Sequence, residues 1–202
     1  VWIHDLSTGK RRQVAAFRGN NSAPAFSPDG GTLAVALSKD GGTKIYLLDV
    51  NGQNLRQFTT GSSIDTEPAF SPDGKYSDRG GNPQIYRKPV VGGSAERISF
   101  GNAYAISPAV SPKNDQVAYI VRTGGHFKLV QQDLATGNVI PLSEIGKNES
   151  PSYSPNGNMI IYASEVGGKG VLSTVSTDGS TRSRLSGTSG DIREPSWGPT
   201  IK

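Results

Sequence analysis

APAFSPDG at residues 23–30 and EPAFSPDG at residues 67–74 are nearly identical segments, and the pattern that they begin decides the fold. Three looser copies follow, SPAVSPKND at 107–115, SPSYSPNG at 150–157 and EPSWGP at 194–199. The shared proline stands at positions 24, 68, 108, 151 and 195, so the copies are 44, 40, 43 and 44 residues apart. An internal period of this length indicates a repeat architecture, in which one small structural unit recurs along the chain.

Each repeat contains short segments of the kind that form β-strands. Ser-Pro-Asp-Gly itself is a turn, because Pro presets φ, Ser and Asp bond to the local backbone, and Gly ends the turn. An apolar run such as 116–120 follows, then a Gly-rich hairpin, a third strand such as 44–48 and a fourth such as 139–142. Four antiparallel strands per ~40 to 45 residues is the blade of a β-propeller.

The sequence therefore predicts an all-β chain with four-stranded antiparallel blades. Residues 1–202 form one β-propeller domain of four repeats plus partial ones, with starts near 24, 68, 108 and 151 and a closing strand near 195. A content of 26 glycines and 13 prolines supports many short strands over long helices.

The second repeat is shorter than the others. Residues 33–37 of the first copy are an apolar run, whereas the second copy has only Lys75 and Tyr76 at that place. Losing an inner strand leaves the N–H and C=O groups of its neighbours without partners. We therefore expect residues to be missing from the chain between Tyr76 and Ser77.

Composition and motifs argue against catalysis, nucleic-acid binding and membrane insertion. The chain has no Cys, its two histidines, His4 and His126, fall in different repeats, and it has neither a Gly-x-Ser-x-Gly elbow nor a phosphate-binding Gly-rich loop. Its net charge of +4 comes from scattered residues, and no apolar stretch approaches ~20 residues. We expect a non-enzymatic protein that is not membrane-embedded.

The loops that precede the repeated prolines are the candidate binding surface. In a propeller, equivalent loops gather around one mouth of the central channel, and these differ between repeats while the strands do not. Their mainly acidic character fits a protein or peptide with basic and amide groups, although solvated loop residues are the plainer interpretation. Clustered carboxylates there could also hold Ca²⁺. The candidates from the loops are Asn21, Ala23, Asp65, Thr66, Glu67, Ala105, Ser107, Glu149, Arg193 and Glu194.

Several segments resemble the TolB family. The Ser-Pro-Asp-Gly repeat is similar to the WD40-like (PD40) repeats of TolB and of prolyl-oligopeptidase-type propellers. The match narrows to TolB in RQFT at 56–59, NPQIY at 82–86, QDLATG at 132–137 and VSTDG at 175–179. The resemblance implies an N-terminal α/β domain followed by a six-bladed propeller. We expect the α/β domain and about one and a half blades to be absent here, which puts contact with TolA in doubt.

The resemblance also implies a function. TolB acts in the periplasm in the Tol-Pal system, which supports outer-membrane integrity and cell division, and its channel mouth binds the lipoprotein Pal and colicin translocation segments. The matching positions are Asn20, Ala23, Thr66 and Glu67, with Asn20 standing where the family often has His. One competing interpretation is a substrate-gating propeller of a prolyl-oligopeptidase-type hydrolase. Another is a carbohydrate-processing propeller, which requires paired inward carboxylates and stacking aromatics.

Overall fold

The structure, a computed structural model, describes residues 1–72, 76–78, 83–101, 104–144, 146–185 and 191–198, with only the backbone described at 76–78. The chain divides into two compact units, Val1–Arg97 and Ile98–Lys202. All pairings between the named strands are antiparallel.

The first unit holds three sheets in which the strands follow one another in chain order. A two-stranded sheet is followed by a four-stranded sheet, β3-β4-β5-β6, and a three-stranded sheet, β7-β8-β9. The strands are β1 (Trp2–His4), β2 (Arg11–Gln13), β3 (Asn21–Phe26), β4 (Thr32–Leu37), β5 (Lys44–Asp49), β6 (Arg56–Gln57), β7 (Tyr76–Asp78), β8 (Tyr86–Pro89) and β9 (Glu96–Arg97).

The second unit holds two four-stranded sheets, β10-β11-β12-β13 and β14-β15-β16-β17. The strands predicted at 116–120 and 44–48 are confirmed as β11 and β5, and the one at 139–142 is confirmed as β13, ending one residue early. The strands of this unit are β10 (Ala105–Val110), β11 (Gln116–Thr123), β12 (His126–Asp133), β13 (Val139–Pro141), β14 (Glu149–Tyr153), β15 (Met159–Val166), β16 (Lys169–Ser176) and β17 (Arg182–Arg184).

Strands β4, β5 and β11 are buried on both faces, which is why they read as continuous apolar runs. In the first unit Leu33, Val35 and Leu37 of β4 pack on one side with Val14, while Ala34 and Ala36 pack on the other. In the second unit one core joins the two sheets; its members are Ala118, Ile120, Leu129, Leu142, Tyr153, Ile160, Tyr162 and Val175. Burying each large aliphatic side chain contributes roughly 1.5–3 kcal/mol, so these inter-sheet cores hold each unit together.

The turns predicted at 27–30 and 154–157 are confirmed, and the end of the one at 71–74 lies outside the described residues. In the first repeat the Ser27 N–H donates to the Thr32 carbonyl at 2.8 Å and the Ser27 Oγ accepts from the Thr32 N–H at 2.9 Å. In the fourth repeat Ser154 makes the same pair of bonds with Met159, at 2.8 and 3.0 Å. The serine thus closes each hairpin with both its backbone and its hydroxyl, which fixes the start of the next strand.

The second repeat is also the shortest in the structure. Tyr76 and Ser77 lie in β7 and pair with Pro89 and Lys88 of β8, and the absence of residues between them from the sequence stays a prediction. Within the described ranges, this sheet has three strands where the complete repeats have four. The short strand β7 pairs with β8, and β8 pairs with β9, as the second, third and fourth strands pair in the complete repeats.

Candidate functional site

The residue immediately before each repeated proline has the same unusual backbone conformation. These residues have left-handed φ values of 47° to 53°, at Ala23, Glu67, Ser107, Ser150 and Glu194. A residue before proline normally takes an extended conformation, and a non-glycine residue in the left-handed region costs about 1–2 kcal/mol. The same strain recurs in five repeats, so it belongs to the architecture of the loop.

Strand pairing accounts for the strained conformation in three of the five copies. The pairing of the first strand with the second shifts register at this point in three sheets, between Ser22 and Ala25, between Ile106 and Ala109, and between Glu149 and Ser152. A bulge inserts extra residues into one strand, bends it and aims a side chain away from the ladder. The local sequence does not predict a left-handed residue here, because none of the five residues is a glycine.

The residue three positions before the repeated proline, called here the anchor position, holds the loop. In the first repeat the Asn21 Oδ1 accepts from the Phe17 N–H at 2.9 Å, and its Nδ2 donates to the carbonyls of Phe17 and Gly19 at 2.7 and 3.0 Å. In the fourth, the buried Asn148 Nδ2 donates to the Phe127 carbonyl, the Ser143 Oγ and the Glu144 carbonyl at 2.9, 2.9 and 3.0 Å. Both amides tie the loop to the preceding strand or turn.

A buried ion pair occupies the anchor position of the second repeat. Asp65 has 0% of its surface exposed, and one of its carboxylate oxygens lies 3.4 Å from the Lys44 Nζ. The Lys44 ammonium also donates to the Ser63 carbonyl, and the Ser63 Oγ donates to the other Asp65 oxygen at 3.0 Å. Sequence reasoning missed Lys44 because it lies 21 residues from its partner.

The predicted site residues differ in how much of their surface is exposed. Asp65 and Ala105, at 0% and 1% exposure, have almost no surface to offer a partner. Half-buried positions are Asn21, Ala23, Ser107 and Glu149, and exposed positions are Asn20, Thr66, Glu67, Arg193 and Glu194. In the second and fifth copies, both residues directly before the proline are exposed.

Opposite charges surround the outward residues of the second unit. The Arg193 Nε donates to the Asp191 carboxylate at 3.1 Å, and Asp191 also accepts from the Gly170 N–H at 2.7 Å. The hydrogen bond to Asp191, together with the charges of Asp191, Glu149 and Glu165, raises the pKa of Arg193. Nearby, the Lys147 ammonium bridges both oxygens of Glu165, at 2.7 and 2.9 Å.

This surface offers charge and hydrogen bonds, and the described residues provide no metal-binding group. Within them, no three His, Cys, Asp or Glu side chains lie close enough together to hold a metal ion, so the Ca²⁺ hypothesis has no ligand set there. His4 and His126 lie in different units. Across the part of the chain that the structure describes, no helix has the length and apolar character needed to cross a membrane.

Repeated antiparallel sheets, three of them four-stranded, define the class of β-propeller proteins. Residues 1–201 match the family model of the TolB beta propeller domain, and the chain belongs to that family, which confirms the resemblance and the fold class.

Relatives of known name support the assignment. The chain is 46% identical over 204 residues to the Tol-Pal system protein TolB of Bordetella pertussis, covering 98% of this chain and 47% of that protein. It is 52% identical over 117 residues to the same protein of Nitrosospira multiformis, covering 56% and 27%. The chain thus spans about half the length of the longest-matching relatives.

Solved structures agree. The crystal structure of TolB from Acinetobacter baumannii superposes with a TM-score of 0.90 at 39% identity, over 98% of this chain and 51% of that one. An oligogalacturonate lyase from Vibrio parahaemolyticus superposes with a TM-score of 0.62 at 15% identity, over 96% and 59%. The lyase shares the fold alone.

Proposed function

We propose that this chain is a non-enzymatic interaction scaffold of the Tol-Pal system that binds the lipoprotein Pal through the loops before its repeated prolines. The supporting observation is that five loops share one strained backbone conformation but differ in side chains, from Ala23 to Glu194. A uniform frame with variable outward residues is how repeat proteins separate stability from recognition.

The chemistry of binding is charge complementarity on a rigid frame. Thr66 and Glu67 in the first unit, and Glu149, Arg193 and Glu194 in the second, supply the hydrogen-bonding and charged groups. The acidic members fit basic and amide groups of the partner, while Arg193 fits a carbonyl or carboxylate oxygen. Because bulges and anchor side chains already fix the loops, little conformational entropy is lost when Pal binds.

The wider setting follows from the family. We propose that the protein acts in the periplasm, where the Tol-Pal system supports outer-membrane integrity, cell division and protein transport, and that colicin translocation segments compete for the same surface. The chain covers 47% of the length of the Bordetella pertussis relative, and no TolA contact is proposed for it.

The competing enzyme-accessory function has weaker support. A gating propeller of a prolyl-oligopeptidase-type hydrolase requires a catalytic domain in the same gene, whereas the relatives matched over most of this chain are named TolB. The carbohydrate-processing alternative rests on the lyase, whose similarity is in the fold.

Calorimetric titration of the soluble Pal domain into this chain tests the proposal. A double variant, Glu67→Lys with Glu194→Lys, reverses one exposed charge in each unit. The matched control, Glu96→Lys with Glu144→Lys, also reverses one exposed charge in each unit, outside the loops.

We expect the parent and the control to bind alike, because exposed ion pairs contribute about 0–1 kcal/mol. We expect the loop variant to bind at least about thirtyfold more weakly, since reversing a charge replaces attraction by repulsion. A folded parent that gives no binding heat refutes the proposal, and equal losses in both variants refute the assignment to the loops.

A further inference from the structure

One loop differs from the other four at the residue four positions before the repeated proline. That residue is Asn20, Ile64, Tyr104, Lys147 or Asp191 in the five repeats. In four of them it is tied within its own unit. The Asn20 N–H donates to the Ser38 Oγ, the Tyr104 ring packs against Phe127, and Lys147 and Asp191 make the charged contacts described above. Asn20, Lys147 and Asp191 are exposed as well, but they are polar, whereas Ile64 is aliphatic and leaves 63% of its surface in water.

The backbone on both sides of Ile64 is held firmly. On one side the Ser63 carbonyl accepts from the Lys44 ammonium. On the other side the Asp65 N–H donates to the Thr43 carbonyl at 3.0 Å, while the Asp65 carboxylate lies against Lys44 and the Ser63 hydroxyl. The loop is thus clamped by its inward side chain, and its outward side chain is an isoleucine.

The buried Lys44–Asp65 pair costs free energy, and a loop that is merely solvated would not need it. Burying an ion pair costs several kcal/mol of desolvation per ion, which the attraction between the charges only partly offsets, so such pairs are weak contributors to stability. They do fix one conformation, because a misplaced loop leaves a buried charge without its partner. Single exposed apolar side chains are common, but this one is β-branched, stiff at χ1 and held in place by buried charges.

We propose that Ile64 is an apolar contact residue of the partner-binding surface, with Lys44 and Asp65 as its positioning residues. This inference rests on the proposed function. The occupant is an apolar side chain of Pal, next to a basic or amide group that meets Thr66 and Glu67. Protein–protein interfaces usually combine apolar and polar contacts at their centre. The apolar side chain contributes most of the binding free energy, and the polar groups around it contribute specificity.

Titration of Pal into Ile64→Ala tests the contact, with Val91→Ala as its control. Val91 is a β-branched residue of the same unit, 99% exposed, in the turn between β8 and β9. We expect Ile64→Ala to bind at least about tenfold more weakly, because the change removes three side-chain carbons from the contact. Val91→Ala should bind within about twofold of the parent, since it removes no contact.

The outcomes separate the two proposals. If the parent binds and Ile64→Ala equals Val91→Ala, the inference is wrong while the proposed function stands. If the parent does not bind Pal, the proposed function fails, and the Ile64 contact with Pal fails with it.

Positioning by Asp65 has a readout that does not depend on Pal. In Asp65→Ala we expect faster hydrogen exchange at the amides of Ile64, Thr66 and Glu67, with exchange in the buried strand β5 unchanged at Leu47. Asp65→Asn, which carries the residue found at the anchor position in the first and fourth repeats, is the variant to use if the alanine form does not fold. Unchanged loop exchange in a folded variant overturns the positioning role.

A double-mutant cycle completes the test. If Asp65 acts through Ile64, the losses of Pal affinity in Ile64→Ala and Asp65→Ala are not additive. Strict additivity means that the clamp does not position Ile64.

Discussion

Replacing Asn148 by alanine should destabilise the fourth-repeat loop by an amount that can be worked out from its contacts. The two hydrogens on its Nδ2 serve three acceptors, at 2.9, 2.9 and 3.0 Å. Each intramolecular hydrogen bond contributes about 1 kcal/mol net, and acceptors left buried without a donor add to the loss. Asn148→Ala should therefore lower the free energy of unfolding by about 2–3 kcal/mol.

Urea denaturation followed by far-ultraviolet circular dichroism measures this change, and a melt should give a Tm lower by about 4–12 °C for a chain of this size. Asn148→Asp keeps the size but replaces the donor by a charged acceptor, so we expect at least as large a loss at neutral pH. The control is Asn138→Ala, at an exposed side chain that makes no hydrogen bond to the described residues, and we expect a change within about 0.5 kcal/mol. If Asn148→Ala were as stable as Asn138→Ala, Asn148 would not be holding the loop.

Three further changes test the turns, the strained positions and the core. The Ser176 hydroxyl, with further local hydrogen bonds, lowers the pKa of Asp178 to about 2. The carboxylate therefore stabilises the fold above its unfolded pKa, and this stability is lost as the pH falls from about 4 towards 2. Asp178→Asn should flatten the dependence of the urea midpoint on pH in that range. Ser150→Val puts a β-branched residue at φ 51° and should lower the Tm, because β-branched residues fit the left-handed region worse than serine, whereas Ser150→Gly should not lower it, as paired thermal melts would establish. Burial raises the pKa of Tyr119 to about 12, and its hydroxyl donates to the Gln132 Oε1 at 2.9 Å. Tyr119→Phe should lose about 1–2 kcal/mol in urea denaturation, and an unchanged midpoint would mean that the amide finds another donor.

The turn chemistry and the strand order were accessible from the sequence because they depend on local preferences. Pro, Asp and Gly favour turns within four residues, and apolar runs of strand length indicate strands that are buried on both faces. The shortened second repeat was the exception. The sequence predicts missing residues there, which stays a prediction, and the structure shows a short strand, β7, at that place.

The site was accessible only in part. Thr66, Glu67, Arg193 and Glu194 lie outward as their place in the loops suggested, whereas Asp65 lies inward. Polarity alone could not distinguish these cases, because a carboxylate is as common in a solvated loop as beside a buried lysine.

By itself, the sequence determined the period of the repeat, the turns that separate its strands and therefore the propeller class, since each depends on residues close together in the chain. Only the tertiary structure decided the left-handed residues before the prolines, the Lys44–Asp65 clamp and the exposure of Ile64. These features depend on strand register and on partners about twenty residues away in the chain. Their conformation is set by a neighbour on another strand, because local propensity does not determine register.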